Sequence, residues 1–106
     1  MILKRKYRYV LVVSSGEVDA NRSASGILGE LMRFMGELSY ADANPRIAAQ
    51  YSPTLFVIKM NRNSEDAVIL ALSFVKQAQG KVGFASVKTS GTIKTLLSYA
   101  NSIKDQ

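Results

Sequence analysis

Residues 6–14 read KYRYVLVVS, and this stretch decides the fold. Its apolar and aromatic residues occupy both alternating sets of positions: Tyr7, Tyr9, Leu11 and Val13 in one set, Val10 and Val12 in the other. Successive side chains of a β-strand point to opposite faces of a sheet. We therefore predict a strand whose two faces are both at least partly covered, and which ends at Ser14-Ser15-Gly16.

The residues that follow alternate between helical and extended patterns. Apolar residues spaced by three and four predict a helix over residues 24–39, with Phe34 and Leu38 in its stripe, and another over residues 64–79. Short strands are predicted over residues 46–51, 54–61 and 82–87, because proline-containing turns and glycine separate them. A last helix over residues 91–103 is predicted to bury four residues: Ile93, Leu96, Leu97 and Ala100.

The order of these elements is β-α-β-β-α-β followed by a helix, which is the split βαβ plan. We therefore predict an α+β, ferredoxin-like (RRM-like) α/β sandwich with one four-stranded antiparallel sheet. Two helices cover one face of the sheet, and the C-terminal helix caps an edge or covers the second face. Residues 1–106 contain no linker, repeat or low-complexity run, so a single domain is predicted.

Two absent residue types narrow the chemistry. The chain has no cysteine and no histidine, which excludes disulfides, thiolate catalysis, Ser-His-Asp triads and zinc sites built from these ligands. Carboxylates remain, but neither Glu30 with Glu37 on one predicted helix face nor Glu17 with Asp19 in a loop forms a convergent pair. A free-standing magnesium-dependent nuclease that uses Glu17, Asp19 or Asp42 is kept as one alternative hypothesis.

Charge is unevenly distributed along the chain. The net charge is +6, yet residues 17–42 hold five acids against two bases. Residues 67–104 carry five bases and no acid. This positive charge is interpreted in two ways. It forms a surface that attracts a polyanion, or it is a solvated surface that binds no partner, and both interpretations stay open at this point. The acidic segment suits a protein partner or water.

The chain is expected to be cytoplasmic. Its longest unbroken apolar run covers only the six residues 67–72, whereas a membrane span needs about 20. The apolar stretch after the basic residues at the start is also too short for a signal peptide. We therefore expect no membrane partner.

Residues 88–94, KTSGTIK, lie where a strand is predicted to end and a helix to begin. Thr89 or Ser90 is predicted to cap this helix, and the free N–H groups of a helix start beside Lys88 and Lys94 suit a phosphate. A capped helix between solvated lysines is the simpler alternative. Tyr7 and Tyr9 suit base stacking or a half-buried strand, and Phe84 is predicted to lie in the core.

Two runs resemble the archaeal ribonuclease P protein component 2 family, part of a subunit family of archaea and eukaryotes. They are Arg8-Tyr9-Val10-Leu11-Val12 and Ser90-Gly91-Thr92-Ile93-Lys94. The predicted helix over residues 64–79 and the Gly80-Lys81 turn stand where the family has its own helix and turn. The resemblance covers nearly the whole chain.

The resemblance implies a subunit of the ribonucleoprotein endonuclease that removes the 5′ leader from precursor tRNA. The RNA of that hydrolase carries out catalysis with magnesium, so this chain is expected to bind no cofactor or metal and to be inactive alone. Its expected partners are the ribonuclease P RNA, precursor tRNA indirectly, and another protein subunit in a heterodimer or heterotetramer.

The predicted RNA-binding residues form two groups. The helix start contributes Lys88, Thr89, Ser90, Gly91, Thr92 and Lys94, and the beginning of the chain contributes Lys4, Arg5, Lys6 and Arg8. The alternative is a ferredoxin-like module that binds a protein or small ligand and whose basic charge is incidental.

Overall fold

The computed structural model describes residues 7–19, 24–77 and 82–104. Within these ranges the elements are, in chain order, β1 (Tyr7–Ser14), α1 (Ala24–Met35), α2 (Glu37–Ala43), β2 (Arg46–Ser52), β3 (Leu55–Asn61), α3 (Glu65–Leu72), β4 (Lys76–Gln77), β5 (Val82–Ser90) and α4 (Ile93–Lys104). Among the described helices, none has the length and apolar character needed to cross a bilayer.

The sheet has the strand order β2-β3-β1-β5-β4, and every neighbouring pair is antiparallel. Strands β1, β2, β3 and β5 are the four predicted from the sequence, and their arrangement confirms the ferredoxin-like α+β fold. The two-residue strand β4 is an addition at the edge, where it pairs with the start of β5. β1 lies in the middle of the sheet between β3 and β5.

The first face of the sheet packs against the helical layer, by which we mean α1, α2 and α3. Val10 and Val12 of β1 lie on this face and are fully buried. Phe56 joins them from β3, and its ring meets that of Phe84 edge-on at 5.7 Å between centroids. Phe84 therefore lies in the core, as predicted, and cannot stack a base.

The second face of the sheet packs against α4. Leu96 and Ala100 are fully buried against Leu11, Leu55 and Val57 of β1 and β3. The C-terminal helix thus covers the second face, which decides between the two positions left open by the sequence. Leu97 and Ile93, which were predicted to face inward, are instead 43% and 36% exposed, because the buried stripe of α4 is narrow.

The first helical region is two helices rather than one. Gly36 separates α1 from α2 with φ 85°, ψ 156°, a conformation that L side chains rarely adopt. The predicted stripe is therefore wrong at Leu38, which lies beyond this break and is exposed, and also at Phe34, which is exposed near the end of α1. Asn44, in the left-handed conformation, ends α2 and donates its N–H to the Tyr40 carbonyl at 2.8 Å, so Asp42 and Ala43 are helical, beyond the predicted end of the helix at residue 39.

Helix α3 is shorter than predicted and ends at Leu72, not near Gln79. The chain tightens there, with the Phe74 and Val75 N–H groups donating to the carbonyls of Ala71 and Leu72 at 3.0 and 3.1 Å. Val75 is buried, and the next two residues form β4. Pairing with the edge of β5 supplies backbone hydrogen bonds that replace another helical turn. The Gly80-Lys81 turn lies outside the described residues.

Replacing Leu96 by alanine should lower the free energy of unfolding by about 2–5 kcal/mol, because it leaves a cavity beneath α4. The adjacent Leu97→Ala change removes the same atoms from an exposed position and should stay within about 0.5 kcal/mol of wild type. Urea unfolding followed by circular dichroism measures both. Equal losses for the two variants would mean that α4 does not pack on the second face through Leu96.

Replacing Gly36 by alanine should cost about 1–2 kcal/mol of stability, because its positive φ is strained for a residue with a Cβ atom. Gly29 is the matched control: it lies inside α1, with nothing within 4 Å of an added Cβ. Gly29→Ala should stabilise the protein by about 0.5–1 kcal/mol. Thermal or urea unfolding of the two variants should therefore shift in opposite directions.

Candidate nucleic-acid interface

A row of polar side chains crosses the second face of the sheet. Arg46 of β2 is paired with Lys59 of β3, which is paired with Tyr9 of β1, which is paired with Ser90 of β5. Residues directly opposite one another on antiparallel strands share a face. Tyr9 packs against the cluster beneath α4, so the whole row lies on the second face.

Tyrosine rings and lysines are in direct contact on this face. The Lys59 Nζ atom lies 4.0 Å from the centroid of the Tyr7 ring, which is 41% exposed. The Lys88 Nζ atom lies 4.8 Å from the centroid of the Tyr99 ring on α4. Such cation–π contacts hold the ammonium groups beside flat aromatic surfaces.

We call these residues the basic surface: Arg46, Lys59, Lys88, Lys94, Tyr7, Tyr9 and Tyr99. Lys94 belongs to it because it is exposed in the first turn of α4, which packs on this face. Among the described residues, no acidic side chain forms an ion pair with any of its four cations. Arg46 and Lys59 stand directly opposite each other, and like charges in that arrangement repel. An anion bound between them would remove this repulsion.

The observed start of α4 differs from the prediction made from the sequence. Lys88, Thr89 and Ser90 belong to strand β5 and not to a loop. Thr92, not Thr89 or Ser90, caps α4: its Oγ1 accepts the Thr95 N–H at 3.4 Å, while the Thr92 N–H donates to Ser90 Oγ at 3.2 Å. The Ser90 and Thr92 hydroxyls therefore bind the chain's own backbone, and the lysines remain for an anion.

Strand alternation divides the predicted RNA-binding residues between the two faces. Lys88 and Ser90 lie on the second face, but Thr89 is paired with Val10 and lies on the first. Arg8 is also on the first face, where its Nε lies 3.6 Å from the Glu65 Oε1 of α3. Arg8 and Thr89 are thus separated from the basic surface by the sheet.

Three other predicted residues have no described position. Lys4, Arg5 and Lys6 lie outside the described residues, so their predicted role stays a prediction. Gly91 forms the bend between β5 and α4. Lys88 and Ser90 precede this bend on the second face of the sheet, and Lys94 follows it in the first turn of α4.

The candidate acids lie elsewhere. Glu17 and Asp19 line an open depression of about 610 Å³ beside residues 50–53, and Asp42 is in α2. Gln50 holds the rim of this depression by donating from its amide to the carbonyls of Val18 and Ser52. Within the described ranges, no group of three or more carboxylates is arranged to hold a metal ion.

Tyr51 lines the same depression and also packs against the cluster beneath α4. Burial raises the pKa of its phenol above the ordinary value of 10.0. The phenol therefore keeps its proton at neutral pH.

Sequence reasoning missed Arg46, Lys59 and Tyr99 as members of the basic surface. The alternation of β3 places Lys59 on the same face as Leu55 and Val57, and this much is visible in the sequence. What the sequence does not contain is the strand order, which puts β3 beside β1 and Lys59 above Tyr7. Assigning Tyr99 to the basic surface depends on the packing of α4 across the second face, which the sequence did not settle.

The basic surface combines two chemical capacities. Its lysines and arginine supply charge-assisted hydrogen bonds to phosphate oxygens. Its tyrosines offer faces on which unpaired bases stack, at about 1–3 kcal/mol per base in single-stranded complexes. This combination fits a nucleic acid better than a small anion, because the cations are spread over four elements and not gathered in one pocket.

The comparisons with known proteins agree with this geometry. The chain is similar over 99% of its length to 98% of a chain in the cryo-EM structure of yeast ribonuclease MRP, with a TM-score of 0.68 and 10% sequence identity. At that identity the likeness shows a common fold. A comparison with curated proteins gives no match. The family model of the Rpp14/Pop5 family matches residues 8–101. The chain therefore belongs to the Rpp14/Pop5 family of ribonuclease P protein subunits.

Proposed function

We propose that this chain is a non-catalytic subunit of ribonuclease P, which supports the catalytic RNA in removing the 5′ leader from precursor tRNA. The observation that carries the proposal is the basic surface, where four cations and three tyrosines occupy one face of the sheet. Membership of the family supplies the biological setting. The similar fold in yeast ribonuclease MRP is consistent with a place in a ribonucleoprotein.

The cations bind the RNA backbone in this proposal. Arg46 and Lys59, opposed across two strands, share phosphates whose negative charge cancels their mutual repulsion. Lys88 and Lys94 extend the contact along β5 and onto α4. A surface of this kind braces folded RNA by neutralising phosphates that repel one another, and it requires no reactive group on the protein.

The tyrosines bind unpaired bases or riboses. Tyr7 offers an exposed ring beneath the Lys59 ammonium, so a stacked base and a bound phosphate are held by neighbouring side chains. This differs from an RNA-recognition motif in one respect, because α4 covers part of the second face. Base stacking is then restricted to rings that α4 leaves exposed, such as that of Tyr7, while the phosphate contacts continue onto α4.

The proposed partners follow from these phosphate and base contacts. The ribonuclease P RNA binds the basic surface directly, precursor tRNA is bound indirectly through that RNA, and another protein subunit completes the assembly. Magnesium acts on the RNA subunit, which performs the hydrolysis. The chain's own part is to bind and orient the RNA.

Replacing Lys59 or Lys88 singly by alanine should weaken binding to ribonuclease P RNA. Each variant should also reduce the slope of log K against log salt by about 0.7–0.9 per lost phosphate contact. Arg33→Ala is the matched control, since it removes one positive charge from an α1 side chain that is 72% exposed. Filter binding or fluorescence anisotropy at several salt concentrations measures both quantities. A control that loses as much slope as Lys88→Ala would indicate incidental charge.

Leader removal tests the function itself. Cleavage of precursor tRNA should be faster, or should need less magnesium, when the RNA and the other protein subunits are assembled with this chain than without it. The Lys59→Ala/Lys88→Ala protein should restore less activity than wild type. The chain without RNA should cleave nothing, and cleavage by the chain alone would support a nuclease instead.

A further inference from the structure

Arg8 lies between the two tyrosines of β1 but faces away from them. Strand alternation places Tyr7 and Tyr9 on the second face, within the basic surface. Arg8 is on the first face, where its Nε atom lies 3.6 Å from the Glu65 Oε1 atom of α3. This ion pair therefore connects the beginning of β1 to the helical layer on the far side of the sheet from the basic surface.

The beginning of β1 is paired on one side only. Tyr7 and Arg8 are paired with residues of β3. On the side of β5, the described pairing begins at Tyr9. A strand end with a single neighbour opens more readily than the centre of a sheet, because fewer backbone hydrogen bonds hold it. The ion pair of Arg8 with Glu65 therefore adds an attachment at the part of β1 that has fewest.

Glu65 is held in place by a short turn. Strand β3 ends at Asn61 and α3 begins at Glu65. Within this turn the Ser64 N–H donates to the Asn61 carbonyl at 3.3 Å. Met60, the strand partner of Arg8, precedes the turn and is fully buried in the core beneath the helical layer. The chain thus runs directly from the strand partner of Arg8 to the carboxylate that Arg8 contacts, which makes Glu65 a fixed anchor.

The ion pair has poor geometry for a contact that serves stability alone. Its separation of 3.6 Å is longer than a hydrogen bond. The Arg8 Nε and Glu65 Oε2 atoms are both buried, with no hydrogen-bond partner among the described residues. Removing charged atoms from water without hydrogen bonds costs free energy, and apolar side chains of similar size often stabilise a protein equally well. The orientation that the pair imposes on β1 accounts for it better than stability does.

We propose that Arg8 and Glu65 are positioning residues for RNA binding, which hold the beginning of β1 so that the Tyr7 ring stays beside Lys59 and stacks an unpaired base. This inference rests on the proposed function, because the base belongs to the bound RNA. Fixing Arg8 on the first face fixes its two neighbours in the strand on the second. Arg8 then contributes to RNA binding without touching RNA, unlike the direct contact predicted from the sequence.

Replacing Glu65 by glutamine tests this proposal, because charge and positioning predict opposite results. The change removes a negative charge and leaves every cation of the basic surface in place, so a general electrostatic effect would tighten RNA binding. Loss of the anchor should instead weaken binding of the full chain to ribonuclease P RNA about fivefold, near the lower end of the contribution of one stacked base. The slope of log K against log salt should keep its wild-type value, since no phosphate contact is lost.

Glu30→Gln is the matched control. It removes the same charge from an ion pair that lies within α1, where Glu30 is 3.5 Å from Arg33, and should bind RNA at least as tightly as wild type. Glu65→Asp keeps the net charge but shortens the side chain by one methylene, so it should also weaken binding, and it replaces Glu65→Gln if that variant does not fold. Arg8→Met combined with Glu65→Gln should bind no more weakly than Arg8→Met alone, because both changes remove one contact.

Two further measurements follow β1 and its tyrosine directly. In hydrogen exchange without RNA, the amides of residues 7–10 should exchange faster in Glu65→Gln than in wild type, while those of α4 should exchange equally. The chain has five tyrosines and no tryptophan, so a stacked base should quench its tyrosine fluorescence. Saturating oligouridylate should quench Glu65→Gln less than wild type, and Tyr7→Phe identifies the share that comes from the Tyr7 ring.

Three results would overturn the proposal. The first is that Glu65→Gln binds RNA as tightly as wild type or more tightly. The second is an unchanged exchange rate for residues 7–10. The third is a salt slope that falls in Arg8→Met as much as in Lys88→Ala, which would make Arg8 a phosphate contact. Failure of the proposed function gives a different result, since wild type would then bind no RNA, whereas hydrogen exchange would still measure the anchor.

Discussion

The burial of β1 on both faces is the constraint on which the rest of the structure depends. Val10 and Val12 are fully buried on one side and Leu11 on the other, so the sheet needs a covering layer on each face. Helices α1 and α3 supply the first cover and α4 the second. Because β1 also carries Tyr7 and Tyr9 in the same alternation as Leu11, the basic surface is continuous with the core beneath α4.

The same sheet separates opposite charges. Its second face carries Arg46, Lys59 and Lys88, and most of the acids lie in the helices packed on its first face. Arg8 is an exception: one position along the strand from Tyr9, its side chain lies on the opposite face and pairs with Glu65. A polyanion is therefore attracted to the second face and disfavoured on the first.

The predictions succeeded for the strands and for the fully buried positions of the helices, and failed where an element ends and at the margins of two helical stripes, at Phe34 and Leu97. The alternation of β1 and β3 and the positions of Leu96 and Ala100 were visible in the sequence. The break at Gly36 was not, because a glycine inside an apolar helical pattern is compatible with a continuous helix. The end of α3 was missed because the edge of β5 competes for residues 76–77. The cap of α4 shifted from Ser90 to Thr92 because β5 continues to Ser90.

The sequence by itself determined the class of fold, the central strand with two buried faces, the absence of histidine and cysteine chemistry, and the excess of positive charge. Each of these depends on composition or on residues close together in the chain. Only the tertiary structure decided which cations share a face. Lys59 and Tyr7 are 52 positions apart in the chain but meet across β1 and β3, whereas Arg8 and Tyr9 are adjacent and face opposite ways. Sharing a face depends on strand order and register, which arise from the packing of the whole chain.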